Sequence, residues 1–142
     1  MADGHKFFLP PRPGDIVWCL FPQDKKLEPG PKSRPALVVK FGELDGEPAV
    51  AVAYGTSQRI GALHPGEFAI TRADREAFAV AGLSFDTKFD LTNVIELPFS
   101  GQWFAVPPGA PHGQIPKLGL LHPTMVRRAV AARRAAAKNI SQ

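Results

Sequence analysis

Arg34, Pro35, Thr56, Ser57 and Gln58 are the residues whose types and order most suggest chemistry in this chain of 142 residues. Arginine presents a planar fork of donors that fits a phosphate and binds it more strongly as charge builds up during transfer. Pro35 fixes the chain after Arg34 and favours an extended Arg34. Thr56 and Ser57 follow Gly55, where a backbone can approach a ligand closely, and their hydroxyls can hold a phosphate oxygen. A plainer reading stands beside this one: Arg34 ends a strand and Thr56 closes a turn. Sequence physics leaves both open.

Further cations lie near these residues. Lys25, Lys26 and Lys32 occupy the polar stretch 23–33, and Arg59 follows Gln58. The formal net charge is +4, and a basic surplus favours an anionic partner, nucleic acid above all. The terminal Arg127, Arg128, Arg133, Arg134 and Lys138 either touch nucleic acid or form a solvated helix face. His5, His64, His112 and His122 show no ligand spacing, so no metal site is expected. Cys19 is the one cysteine, which excludes an intrachain disulfide and suits a reducing cytosol. No run nears the roughly 18 apolar residues of a membrane span, and residues 1–6 lack a secretory signal pattern. A soluble, cytoplasmic protein is expected. Trp18 is read as core, and Trp103, beside Phe99 and Phe104, as a residue that packs an edge strand or stacks on bases.

The elements that must position these groups are short. Proline numbers 15 of 142, well above the ordinary share of about 5%, and it breaks helices and central strands. Residues 1–13 end in Pro10-Pro11-Arg12-Pro13 and read as an extended lead-in. Asp15 to Phe21 is apolar on both faces, as in a strand packed within a barrel. Strands are expected over Ala36–Phe41, Pro48–Tyr54 and Lys88–Leu97, with Asp45-Gly46 turning between the first two. Gly66–Thr71 reads as a short strand, Ala73–Ala81 as a short helix stopped by Gly82, and Gln102–Val106 as an edge strand. Residues 107–119 read as a proline-glycine loop. A terminal helix is expected over 124–138 with Thr124 as its N-cap. Along it Val126, Val130 and Ala137 share a face expected on the barrel or at a dimer seam. With no repeat and no second domain, the chain reads as a mainly β protein: one small barrel over 14–142, with a C-terminal helix.

Gly14-Asp15-Ile16-Val17-Trp18, a polar loop, Lys32-Ser33-Arg34-Pro35-Ala36-Leu37-Val38-Val39, and then Thr56-Ser57 after the third strand together resemble the MazF/PemK toxin family. That resemblance implies an SH3-like barrel with Arg34 and Thr56 as the central active-site pair. The frame Lys88-Phe89-Asp90-Leu91 with Ile95 is similar to a second family pattern, with Lys and Leu in place of Arg and Gln. It implies proton transfer by Asp90 assisted by Lys88. The reaction implied is cleavage of single-stranded RNA by 2′-OH attack on the phosphodiester, without metal or other cofactor. Lys25, Lys26, Lys32, Ser57, Gln58 and Arg59 are then RNA-binding candidates. A homodimer and an acidic antitoxin partner are implied as well. Residues 98–119 have no counterpart in this resemblance.

Two other function classes compete. A barrel of this kind can serve as a non-catalytic module that binds nucleic acid or protein, a reading motivated by the divergent second half. Gyrase poisons of similar fold depend on an aromatic C-terminal tip, and this chain ends Asn139-Ile140-Ser141-Gln142.

Overall fold

A computed structural model describes residues 5–23 and 28–141; Lys25 and Lys26 lie outside the described residues. Six strands form one antiparallel sheet: β1 (Asp15–Cys19), β2 (Arg34–Leu44), β3 (Glu47–Thr56), β4 (Glu67–Ile70), β5 (Thr87–Pro98) and β6 (Lys117–Leu120). Their order across the sheet is β4-β5-β3-β2-β1-β6. Two α-helices, α1 (Glu76–Val80) and α2 (Val126–Ser141), complete the elements, each entered through a 3-10 turn.

β1 is apolar at consecutive positions because both faces of the sheet are covered. Ile16 enters one core with Leu37, Ala53, Phe68, Ile70 and Phe89, under α1 and α2. Val17 and Cys19 enter a second core with Val38, Val50, Val52, Leu97, Phe99 and Phe104. The β2–β3 hairpin closes on Asp45-Gly46, both at positive φ (53° and 81°), the backbone that a tight hairpin turn requires. The edge strands β4 and β6 do not pair with each other, so the expected barrel is a sheet left open by hydrogen bonding. Residues 80–82 fill the gap. A Cβ on Gly82 would lie 2.1 Å from the Leu118 carbonyl oxygen, and one on Gly119 2.2 Å from that of Val80. Glycine on both sides allows backbone to rest on backbone, and Gly82 also ends the short helix at φ +72°.

Several local expectations are corrected. The loop expected over 107–119 yields strand β6, which pairs Asp15 with Leu120 and Ile16 with Gly119. Four residues containing a glycine carry too little pattern to announce a strand. The edge strand expected at Gln102–Val106 is instead a turn, with the amides of Trp103 and Phe104 both donating to the Ser100 carbonyl. Trp103 is buried in the second core, which rules out stacking on bases. The helix expected over Ala73–Ala81 is broken at Arg75, φ 50°. His122, not Thr124, caps the terminal helical segment: its ring accepts from the Thr124 amide, with Pro123 following. The α2 face that packs runs from Met125 through Ala129 and Ala132 to the buried Ala136, whereas Val126 and Val130 are 45% and 40% exposed.

Among the described residues, no helix is long and apolar enough to cross a membrane, and no group of three or more metal-ligating side chains is found.

Candidate functional site

Arg34 begins β2 and Thr56 ends β3. The two strands pair with Ala36 opposite Tyr54. Two residues further, the same register sets Arg34 opposite Thr56, on one face of the sheet because strand side chains alternate. Arg34 is fixed on its other side by pairing with Cys19 of β1, and Thr56 by pairing with Lys88 of β5. Adjacent ladders thus place a guanidinium and a hydroxyl from residues far apart in sequence side by side.

Gly55 makes this approach possible, for a reason unlike the expected one. A Cβ there would lie 2.4 Å from the Pro35 carbonyl oxygen and 2.9 Å from the Phe89 ring. What comes close to Gly55 is the neighbouring strand, and no ligand is needed to explain the residue.

Arg34 and Thr56 form the rim between two hollows. One cavity of about 390 Å³ is lined by Trp18, Ser33, Ser57, Leu83, Phe85 and a proline-rich wall, besides Arg34 and Thr56. The other, of about 360 Å³, is lined by Pro22, Gln23, Tyr54, Gln58 and Asn93 with the same two residues. Among the described residues, neither lining includes a carboxylate, a lysine or a histidine. Among the described residues Arg34 makes no ion pair. Its partner is neutral: with its carboxamide oxygen turned inward, Gln23 accepts from Nε and Nη2 of Arg34 at 3.2 and 3.3 Å. An arginine oriented by an amide keeps its full charge for an anion. Thr56 Oγ1 accepts from the Gln58 amide at 3.2 Å, which leaves its own proton to donate outward.

The other candidates are dispersed. Lys88 turns its ammonium away into the protein, where Nζ reaches Glu67 Oε1 at 3.1 Å and the Ala62 carbonyl at 3.3 Å. The side chains of Lys88 and Glu67 are only 6% and 9% exposed. Asp90 sits opposite Tyr54 on β5, and its Oδ1 accepts from the amide and hydroxyl of Thr92. This bond caps a bulge: β3 continues from Tyr54 to Ala53 while β5 passes from Asp90 to Val94. Asp90 lies one diagonal step from Thr56, about 7–8 Å between such positions. Ser57, Gln58, Arg59 and Lys32 are exposed on the two loops that flank the rim, with Arg59 at φ 54° in a turn closed by the Ala62 amide.

Trp18, Phe85 and Gln23 are the site residues that sequence reasoning missed. Trp18 faces the cavity because its neighbours Val17 and Cys19 take the second core. The one signal for Phe85 is an aromatic between Ser84 and Asp86, in a polar turn with no apolar partner nearby in sequence.

The chain matches no curated protein. The model of the PemK-like, MazF-like toxins of type II toxin-antitoxin systems matches residues 12–98, a stretch that runs from the lead-in to the end of β5 and includes Arg34, Thr56, Lys88 and Asp90. That match covers more than half of the chain and coincides with β1 to β5, so the protein belongs to the PemK-like, MazF-like toxin family.

Proposed function

We propose that this protein is a toxin that cleaves single-stranded RNA without a metal, held in check by an acidic antitoxin in the cytoplasm. The observation that carries this reading is that Arg34 and Thr56 share a rim between two hollows, with no lining carboxylate among the described residues. An unneutralised guanidinium with a hydroxyl beside it suits a phosphodiester whose negative charge increases as the 2′-oxygen attacks. Arg34 stabilises the non-bridging oxygens and Thr56 orients the phosphate. The 2′-oxygen–phosphorus bond forms and the 5′-oxygen–phosphorus bond breaks, leaving a 2′,3′-cyclic phosphate and a 5′-hydroxyl. One proton leaves the 2′-OH and one joins the 5′-oxygen. Asp90 takes the first, through the oxygen not bonded to Thr92 and with the short gap bridged by water. Arg34 delivers the second through its hydrogen-bond network. Lys88 assists, as the cross-strand partner of Thr56. Lys25, Lys26, Lys32, Ser57, Gln58 and Arg59 bind the RNA backbone, so cleavage weakens with salt.

Partners follow from the same reading. Exposed Val126 and Val130 lie on α2 among the exposed Arg127, Arg133 and Arg134, an apolar and cationic mixture suited to an acidic segment that folds on binding. The active form is proposed to be a homodimer.

The test is a primer-extension map of a long RNA incubated with the protein and EDTA. Cuts at a recurring motif are expected, with Arg34→Ala and Thr56→Ala each slowing them about a hundredfold or more. A Thr56→Ala protein that cuts as fast as wild type would end this account of the site. One observation favours a second reading, a non-catalytic nucleic-acid-binding barrel: among the described residues, no ordinary proton acceptor lines either hollow. Under that reading oligonucleotide binds, depends on Arg34 and is never cut.

A further inference from the structure

The larger cavity has a wall that the family match does not reach. Pro107, Pro108 and Pro111 come from the segment before β6, and Leu118 from β6 itself; all lie beyond residue 98, where the match stops. The backbone of Trp18 holds both ends of this segment. Its amide donates to the Pro116 carbonyl at 2.9 Å, and its carbonyl accepts from Ala105 at 3.1 Å. Between these anchors the chain turns twice, with Ala110 donating to the Pro107 carbonyl and Gly113 to that of Ala110. The loop is therefore built onto Trp18 and presents rigid proline rings to the cavity that Trp18 faces. Phe85 stands among the same lining residues and is 65% exposed, so it contributes an aromatic ring that the core does not use.

The chemistry of this lining is specific. It offers the flat apolar surfaces of Trp18, Phe85 and the prolines, serine and threonine hydroxyls including those of Ser33, Ser57 and Ser84, and, among the described residues, a single charge, Arg34. A volume of about 390 Å³ falls within the range of small-molecule sites. An unstacked base needs aromatic or apolar faces above and below, with a few donors and acceptors at its edge. Its phosphate needs a cation at one end of the pocket only.

We propose that Trp18, Phe85 and the Pro107–Pro111 loop form a subsite for one unstacked nucleobase, next to the phosphate held by Arg34. The polymer's identity as RNA rests on the ribonuclease reading; the base-accepting pocket rests on its own lining. The subsite selects the base beside the cleaved bond, and residues 99–120 thereby confer a sequence preference on the Arg34–Thr56 pair.

The experiment uses the full chain with Trp103→Phe, which leaves Trp18 as the one tryptophan. Single-stranded hexamers of dA, dC and dT, which lack the 2′-OH and cannot be cut, are titrated against Trp18 fluorescence. A saturable change that differs among the three hexamers is expected. It should weaken about tenfold with Phe85→Ala, as loss of one stacking partner predicts, and similarly when Pro107, Pro108 and Pro111 are all changed to serine. In parallel, the RNA cleavage maps of wild type and Phe85→Ala, both with native Trp103, should differ in the base flanking the cut. No response to any hexamer, or a response and a map both indifferent to Phe85 and the loop, overturns the subsite even if RNA is cut. A Phe85-dependent response in a protein that cuts no RNA upholds the subsite and removes the ribonuclease reading.

Discussion

At Arg34, the amide of Gln23 does what a carboxylate usually does for an arginine, without cancelling its charge. Gln23→Ala is expected to leave stability near wild type and to slow RNA cleavage about tenfold or more, as loss of the two hydrogen bonds that orient the charged group predicts. Gln23→Glu should be worse than Gln23→Ala, because an ion pair would compete with the phosphate for the same donors. Rates and urea midpoints of the two variants decide this. Cys19 illustrates the opposite case, a chemically capable group put out of use. Burial pushes its thiol far above the ordinary range, so the thiolate that reacts is not formed. Iodoacetamide should label Cys19 only after unfolding; labelling of the native protein at neutral pH would contradict the packing around β1.

The elements around the site are held by one buried ion pair. Glu67 at the start of β4 accepts from Lys88 and from the His64 amide, and Lys88 also reaches Ala62. Together these bonds close the segment between β3 and β4 that begins with Ser57, Gln58 and Arg59. Removing one partner of such a pair leaves a buried charge alone and costs roughly 3–5 kcal/mol. Lys88→Met and Glu67→Gln should each lower urea stability by about that much, and the double variant should recover most of it. If Lys88 only supports the loop, the double variant at a temperature where it is folded should keep the wild-type pH profile of cleavage. A shifted profile would place Lys88 in the proton transfer.

At the scale of the molecule, α2 is fastened to the sheet by Arg128, which donates to both carboxylate oxygens of Asp74 (2.9 and 3.0 Å) and to the Ala69 carbonyl. Burial by itself would raise the Asp74 carboxyl, but hydrogen bonds and charge from Arg128, with bonds from Thr71, outweigh it and hold the group below its ordinary value. A carboxyl lowered by folding adds stability that is fully present above the usual carboxylate range and is lost as pH falls through the lowered value. Acid unfolding of the wild type should therefore be steeper than that of Asp74→Asn, and the stability difference between them should shrink as pH drops through that range. Arg128 is half exposed, so screening keeps the effect small, under about 1 kcal/mol. A difference that stays constant from pH 7 to pH 2 would show that the carboxylate charge is not what fastens the helix.

Sequence alone determined what local chemistry and periodicity can determine. β1 is legible because apolar residues at consecutive positions require both faces buried, the β2–β3 hairpin because Asp45-Gly46 tolerates positive φ, and the stop at Gly82 for the same reason. The family was legible in Gly14–Trp18 and Lys32–Val39, which form β1 and the start of β2 with the residues that lead into them. β6 was not legible: its pairing with β1 depends on which strand lies alongside, and nothing in Lys117–Leu120 encodes that. The α2 face that packs was misjudged because alanine and valine at helical spacing define two apolar stripes, and only the docked sheet selects one. At the site, the residue types of Arg34 and Thr56 were readable, but their meeting depends on the β2–β3 register. Whether a charged side chain enters the site or leaves it depends on what waits on the other side of the strand. For Lys88 that was Glu67, a partner 21 residues away, and for Arg34 it was an uncharged glutamine.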